Sequence, residues 1–367
     1  MAALPPELWE IILEYLPEEV VTLLSCSLVH SMLAPLCQRH LFATISLPGS
    51  GLRIERFYTL LKGSPHIAEY VRSLTLQAPT RQSRAAAIHV LRNGTPRITR
   101  LGLRGFDWPS CPESLQRALL DVLARPTLST LGLMFVDRFP AGALCGTTVR
   151  HLVLDASDTA PPDEEETDVD ECPPPALETL QMLSLGWSPD ATAHVDRWLQ
   201  SALLDLNDLC TVVVDCETYQ IYTLSRFVSG DASHISRLVI SYSFSDLHGV
   251  SSLVHRLSEA LATHDCTLSN LRDIDILWYR PHADVTLDET LDAELAHRGR
   301  FPALERITWR FATIGPARAQ PLGYDHTFPG FDLEKVIAGD EAKIRPEIEE
   351  RIREGMSQCG ELGLLRF

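Results

Sequence analysis

Apolar residues near the amino terminus recur at helical spacing. Five of them fall at i, i+3, i+4, i+7 and i+8, the pattern of one helix face: Leu8, Ile11, Ile12, Tyr15 and Leu16. Pro17 ends this helix, and a second apolar run over residues 20–33 predicts another. Pro35 interrupts that run, and a short last turn is predicted over residues 36–42. Because about forty residues rarely bury a stable core alone, this module must pack against its own chain or a partner.

From about residue 50 a different pattern repeats along the chain. Short β-type runs of the form apolar-x-x-apolar-x-apolar alternate with turns and helix-like segments. The nine runs lie at residues 71–76, 98–103, 128–133, 149–154, 177–182, 209–214, 235–240, 271–276 and 304–309. The helix-like segments lie at residues 54–61, 81–92, 113–123, 192–204 and 247–261. From residue 74 to residue 307 the runs take eight steps, a mean of about 29 residues.

One strand and one helix per repeat predict an α/β fold in which stacked repeats form a parallel sheet. This is the physical unit of a leucine-rich solenoid. An ordinary doubly wound α/β domain is the alternative, since it also alternates strands with helices. The strands are short and share one pattern, and no glycine-rich phosphate turn follows the first of them. These features favour the solenoid.

Two further segments depart from the repeat. Residues 158–171 contain eight acidic residues in fourteen positions, which predicts a disordered insertion; the alternative is a recruitment site for a basic partner. After residue 312 the β runs stop, and a loop leads to a final helix over residues 340–358. That helix can cap the exposed end of a solenoid. The expected organisation is therefore a helical module at 1–45, a repeat domain at 46–312 and a capping segment at 313–367.

Composition and charge restrict the partners. The chain has 32 Lys+Arg against 49 Asp+Glu, a formal net charge of −17, so it is a poor candidate for nucleic-acid binding. No apolar window reaches the length of a membrane span, and the amino terminus lacks the basic and apolar regions of a secretory signal. Nine scattered cysteines without a CxxC pair predict reduced thiols in the cytoplasm or nucleus and no metal site.

No catalytic motif is present in the sequence. It contains no GxSxG elbow, P-loop, HExxH or kinase signature. His264, Asp265 and Cys266 are adjacent, but adjacent side chains rarely face each other, and catalytic triads assemble across a fold. We therefore expect no catalytic residue, no cofactor and no enzymatic activity. An α/β enzyme is the weakest alternative, and it would require a deep pocket lined by perturbed titratable groups.

Residues 4–42 resemble an F-box. Residues 4–17 (LPPELWEIILEYLP) match the opening of that family, and residues 23–29 (LLSCSLV) match its second half. Residues 64–76 resemble the segment that leads into an irregular leucine-rich array in fungal-type F-box proteins. His30 and Leu33 stand where the family usually has Cys and Trp, so the resemblance implies an adaptor contact with less aromatic area. The repeats also lack the Asn of standard leucine-rich repeats, which implies irregular curvature.

This resemblance implies that the chain is a substrate receptor. In the family, the F-box binds the small adaptor of an SCF-type (cullin–RING) ubiquitin ligase, the downstream domain binds a protein substrate, and other subunits perform catalysis. The residues carried over are expected to divide between the core of the module and the adaptor contact: Leu4, Pro5, Leu8, Ile12, Leu16, Leu24, Leu28 and Val29. The alternative is a leucine-rich interaction scaffold in which the helices only cap the solenoid. In that case their apolar face would pack against residues 42–76.

Substrate contacts are predicted from the alternation of side chains along the strands. The apolar pair of each run points into the repeat, so the alternate residues lie on the opposite face of the sheet. Several of these residues are polar, charged or large and are the candidates for substrate binding: Gln77, Arg104, Met134, Asp155, Asp215, Asp275 and Arg310. They carry no single sign of charge and imply no ligand class. A site on the loops remains the alternative.

Overall fold

The computed structural model describes residues 6–14, 20–49, 51–155, 159–160, 173–183, 204–215, 234–242, 268–279, 289–312 and 346–366. In these residues the chain is mixed α and β, with parallel strands. It divides into two compact units, residues 1–131 and 132–367. The predicted helices at 192–204 and 247–261, and most of the acidic insertion, lie outside the described residues. The predicted domain boundaries remain predictions.

Three helices open the first unit. They are α1 (Pro6–Glu14), α2 (Val20–Val29) and α3 (Leu33–Leu41). The short turn predicted over residues 36–42 is instead a nine-residue helix that begins before Pro35. Pro35 lies in the first turn of α3, where the backbone N–H has no partner within the helix, so proline is tolerated there.

The rest of the first unit alternates strands and helices. Strands β1 (Thr44–Leu47), β2 (Ser73–Gln77) and β3 (Arg100–Arg104) pair in parallel in chain order. Helices α4 (Leu52–Gly63), α5 (Arg84–Asn93) and α6 (Glu113–Leu123) follow them, with short 3-10 helices at Pro65–Tyr70 and Trp108–Ser110. Strand β4 (Thr130–Met134) lies at the division between the units.

The second unit continues with parallel strands in chain order. They are β6 (His151–Asp155), β8 (Thr179–Leu183), β9 (Thr211–Asp215), β10 (Arg237–Tyr242), β11 (Asp273–Tyr279), β12 (Arg306–Ala312) and β13 (Leu365–Arg366). A small separate pair joins β5 (Phe139–Pro140) to β7 (Thr159–Ala160), and a 3-10 helix spans Ala141–Leu144. The described helices are α7 (Glu289–Leu295), α8 (Pro346–Gly355) and α9 (Ser357–Glu361).

Each of the nine predicted β runs contains a strand that begins two residues later than the run. The first residue of every run is buried in the turn before its strand, as Ile98 is before β3. The next apolar position then pairs across neighbouring strands, so Leu152, Leu180 and Val212 form one continuous apolar ladder. The pattern therefore reports burial correctly, although the hydrogen-bonded strand starts later.

The same pattern of backbone hydrogen bonds joins several pairs of consecutive repeats, with one carbonyl oxygen accepting from two consecutive N–H groups of the next repeat. The carbonyl oxygen of Arg72 accepts from the N–H groups of Thr99 (2.8 Å) and Arg100 (3.0 Å). One carbonyl likewise accepts two N–H groups in later repeats, where the acceptors are residues 99, 150, 178, 210, 236 and 272. Within each unit the described strands follow chain order, whereas a doubly wound sheet reverses its order at a switch point. This arrangement is compatible with a solenoid-like α/β fold.

Candidate protein-docking face on the N-terminal helices

A small apolar core holds the three N-terminal helices together. It contains four buried side chains, and four partly buried residues pack against them: Leu13, Leu23, Leu33 and Cys37, with Trp9, Cys26, Leu36 and Leu41. An exposed ion pair links α3 to α1, with 2.8 Å between Arg39 Nη1 and Glu10 Oε1. Helix α3 also contacts the 3-10 helix at residues 65–70, where His66 Nε2 lies 3.3 Å from Gln38 Oε1. The module is thus attached to the repeats through α3.

Helices α1 and α2 leave an apolar face in contact with solvent. Twelve large apolar residues are exposed in the described part of the chain, and eight of them lie on these two helices. We call these eight residues the apolar face: Leu8, Ile11, Ile12, Val20, Val21, Leu24, Leu28 and Val29. Their exposed fractions reach 87% at Leu28, 77% at Val29 and 75% at Val21. Concentrated exposure of this kind marks an interaction site, whereas scattered exposed apolar residues need no explanation.

Helix geometry explains why these residues form one face. On α2, Val20, Leu24 and Leu28 follow at steps of four residues, and Leu8 and Ile12 do the same on α1. The polar groups within α2 do not interrupt the face. Ser25 Oγ donates to the Val21 carbonyl (2.8 Å), and Ser27 Oγ donates to the Leu24 carbonyl (2.6 Å). The hydroxyl groups are therefore satisfied by the helix itself.

The structure places five of the eight predicted adaptor-binding residues on the apolar face: Leu8, Ile12, Leu24, Leu28 and Val29. Leu4, Pro5 and Leu16 lie outside the described residues. Three members of the face, Ile11, Val20 and Val21, are absent from the prediction, although Ile11 falls at helical spacing from Leu8. Leu33, at the position where the resembled family usually has Trp, is buried in the core of the module and does not belong to the apolar face.

Of the predicted substrate-binding residues, Gln77 and Arg104 lie in the first unit, and Met134 and Asp155 lie at the ends of β4 and β6 in the second unit. Gln77 is half-buried, and its Oε1 accepts a hydrogen bond from the Gly49 N–H (3.0 Å). Arg104 is half-buried at the end of β3, and Asp155 ends β6. Met134 is buried, so as placed it offers little surface to a protein partner.

The other three lie on strands of the second unit. Asp275 is buried, and its carboxylate pairs with two arginines, Arg237 (Nε to Oδ2, 2.7 Å) and Arg310 (Nε to Oδ1, 3.5 Å). This pairing compensates the burial of the carboxylate charge, and it gives Asp275 a role within the sheet. Asp215 ends β9 on a neighbouring part of the sheet. The ion pair between Asp275 and Arg310 thus joins two of the predicted substrate-binding residues.

Two cysteine thiols have pKa values that are raised mainly by burial. Burial raises the pKa of the Cys37 thiol, with nearby Cys26 contributing, so Cys37 acts as a small apolar side chain. Burial also raises the pKa of Cys111, and Asp107 adds to the effect. Within the described ranges, no group of three or more His, Cys, Asp and Glu side chains could hold a metal ion. Among the helices that the structure describes, none has the length and apolar character needed to cross a membrane.

Comparison with known proteins gave no assignment: no family model matches the chain, and no curated protein matches it.

Proposed function

We propose that this chain is the substrate-recognition subunit of an SCF-type (cullin–RING) ubiquitin ligase. The N-terminal module acts as an F-box whose apolar face binds the adaptor and, through it, the cullin. The repeats form an irregular leucine-rich solenoid that holds a protein substrate, and other subunits perform catalysis in the cytoplasm or nucleus. The observation that carries the proposal is the apolar face, because eight exposed large apolar residues on two short helices are stabilised only when a partner covers them.

Burial of the apolar face against an adaptor should contribute considerably to the free energy of binding. Complete burial of one Leu or Val side chain contributes about 1.5–3 kcal/mol relative to exposure. Ordering costs offset part of this gain, and a few central residues normally dominate an interface. Leu28 and Val29 are the two members of the apolar face with the largest exposed fractions, so they have the most surface to bury.

The alternative is a leucine-rich interaction scaffold in which the helices cap the repeats. The contact between α3 and residues 65–70 is the observation that favours it. A capping role would also require the apolar face to be covered by residues 42–76. Those residues leave it exposed, so capping accounts for α3 but gives no function to α1 and α2.

A binding experiment with the purified adaptor tests the proposal. Leu28→Asp changes an 87% exposed residue, so the free protein should keep its thermal stability, whereas docking would bury an unpaired carboxylate. We expect adaptor binding to weaken at least about 100-fold. Leu52→Asp is the matched control, because Leu52 is also an exposed leucine (64%) but lies at the start of α4, away from the apolar face. Its adaptor binding should remain within about twofold of wild type.

Two results would contradict the proposal. If the wild-type chain does not bind the adaptor, the helices have another role and the scaffold alternative takes precedence. If Leu28→Asp and Leu52→Asp bind the adaptor equally, the contact does not use the apolar face.

A further inference from the structure

Charge is distributed very unevenly along the chain. Residues 43–131 contain twelve Arg and Lys against five Asp and Glu, a net charge of +7. Residues 1–42 carry −4, and residues 132–367 carry −20, with 19 basic against 39 acidic residues. The overall charge of −17 therefore conceals a basic region that coincides with the first strands and helices of the repeats. Such asymmetry indicates an interaction with an acidic partner.

Part of this basic charge lies where the strands of the first unit end. Arg104 is the last residue of β3, and its carbonyl accepts a hydrogen bond from the N–H of Ala78, which directly follows β2 (2.8 Å). Arg81 and Arg84 come a few residues after Ala78, and Arg84 begins α5. These hydrogen-bonded strand ends bring the three arginines to one edge of the sheet. We call them, together with Arg53, the basic rim.

Local contacts connect Arg53 and the next loop to this edge. A side chain added at Gly51, two residues before Arg53, would lie 3.4 Å from Thr80 Oγ1 and 3.6 Å from Ser83 Cβ. The loops before α4 and α5 are therefore in contact. On the other side, Arg84 is close enough to the next loop to lower the pKa of Cys111, although burial and Asp107 together raise it. The basic rim thus extends over three consecutive repeats.

Three of the four arginines of the basic rim, Arg53, Arg81 and Arg84, have no carboxylate within 4.0 Å in the part of the chain that the structure describes. By contrast, Arg92, Arg97 and Arg117 of the same unit each form an ion pair, with Asp121, Glu69 and Glu113 respectively. The carboxylates of the described chain therefore neutralise Arg92, Arg97 and Arg117 but not Arg53, Arg81 and Arg84.

We propose that the basic rim binds a short acidic segment of a partner protein. Arginine suits this role because its planar guanidinium binds carboxylates with two hydrogen bonds, and eleven of the twelve basic residues in 43–131 are arginines. A long nucleic acid fits less well, because the basic stretch is flanked in the chain by acidic sequence on both sides. The exposed large apolar residues in this stretch, within the described part, are Leu52 and Leu120, so no exposed aromatic offers stacking for bases.

This inference rests on the proposed function only in identifying the acidic segment as part of the substrate; the binding itself is independent of the adaptor. The test uses the full chain and a fluorescent oligo-glutamate peptide. An oligo-glutamine peptide and a single-stranded oligonucleotide of the same length serve for comparison. We expect the glutamate peptide alone to bind, with affinity that falls between about 50 and 200 mM salt.

The decisive comparison is between two variants with the same change in charge. Arg81→Gln with Arg84→Gln should weaken binding of the glutamate peptide about tenfold. Arg92→Gln with Arg117→Gln removes two exposed, paired arginines of the same unit and should leave binding within about twofold. Circular dichroism melting checks that both variants fold. Equal losses in the two variants, or no binding by the wild type, would overturn the proposal.

Two further outcomes separate the possibilities. Tighter binding of the oligonucleotide than of the glutamate peptide, lost in the rim variant, would assign the basic rim to nucleic acid and overturn the protein-segment proposal. The rim variant should also bind the adaptor as the wild type does, because the apolar face is unchanged. Loss of peptide binding with retained adaptor binding therefore tests the basic rim separately from the proposed function.

Discussion

Arg125 connects two consecutive repeats of the first unit, and its removal should destabilise that unit. It follows α6 in the chain, yet its guanidinium donates to carbonyl groups at the end of α5. Nη2 donates to the carbonyls of Leu91 (2.6 Å) and Arg92 (3.3 Å), while Nη1 donates to the carbonyl and to Oγ1 of Thr95. The last carbonyls of a helix have no N–H partner within the helix, and Arg125 supplies donors to them. The other donors to these groups are at longer distances, Thr95 Oγ1 to the Leu91 carbonyl (3.3 Å) and the Ile98 N–H to the Thr95 carbonyl (3.4 Å).

The expected cost follows from the number and type of these bonds. A hydrogen bond from a charged donor contributes about 1.5–3 kcal/mol, and a buried acceptor left without a partner costs about 1–3 kcal/mol. Because Arg125 is only partly buried, water can replace some of the bonds, and we expect Arg125→Ala to cost about 2–3 kcal/mol. Burial lowers the pKa of Arg125, but the guanidinium stays charged at neutral pH. Arg125→Lys should recover only part of the loss, because an ammonium cannot reproduce the planar fork.

Chemical denaturation combined with hydrogen exchange measures this effect. Exchange should accelerate in residues 84–95 of Arg125→Ala, because the end of α5 opens more easily. Arg117→Ala is the matched control, since Arg117 forms only an exposed ion pair with Glu113 and should cost less than about 0.5 kcal/mol. If the two variants lose the same stability, or if exchange in residues 84–95 is unchanged, the proposed connection between the repeats is refuted.

Two further predictions concern the second unit. The buried carboxylate of Asp292 accepts from two backbone N–H groups at the start of α9 (2.8 and 2.9 Å), so Asp292→Asn should lower stability by about 1–3 kcal/mol in a denaturation experiment. An unchanged denaturation midpoint would contradict this role. Burial lowers the pKa of His151 below its ordinary value of 6.5, although Glu178 opposes the shift. The stability due to neutral His151 is therefore complete above about pH 6.5 and is lost as the pH falls through that value towards the folded-state pKa. The stability of His151→Gln should decline less than that of the wild type as the pH falls. If the two proteins have the same dependence of stability on pH, His151 makes no such contribution.

Hydrophobic periodicity located the repeats because the first and fourth residues of all nine β runs are buried. The nine β runs all contain strands, and α6 has the bounds predicted for it, residues 113–123. Periodicity did not locate strands β1 and β13, since neither contains the full repeated pattern. Each is nevertheless a strand because it pairs with a neighbouring repeat, β1 with β2 and β13 with β12. Edge strands of this kind depend on pairing, which a local pattern does not report.

The final segment shows a similar limit. One helix was predicted over residues 340–358, whereas the described part contains two, α8 and α9, with Met356 between them. The start of α9 is fixed by Asp292, which lies more than sixty positions earlier in the chain. A side chain that caps a helix from another element cannot be found from local sequence, because the cap is a tertiary contact.

The candidate site could be predicted only in part, because α2 is apolar at most of its positions. Periodicity therefore could not separate residues that face the core from those that face solvent, and the structure makes this division by burying Leu23 while exposing Val21 and Leu24. The charge of the first repeats was concealed in another way, since a single net value of −17 averages a basic stretch with two acidic ones. Both features depend on where the individual residues lie, and composition alone does not give their positions.

Leu33 shows why this division matters for the proposed function. The resemblance placed Leu33 where F-box proteins usually have Trp and implied an adaptor contact with less aromatic area. Because Leu33 is buried against Leu13, Leu23 and Cys37, its smaller side chain affects the packing of the three helices and makes no part of the apolar face. A change at Leu33 should therefore alter the stability of the module first, through cavity or overpacking effects. Adaptor affinity should instead follow the exposed apolar residues of α1 and α2 that form the apolar face.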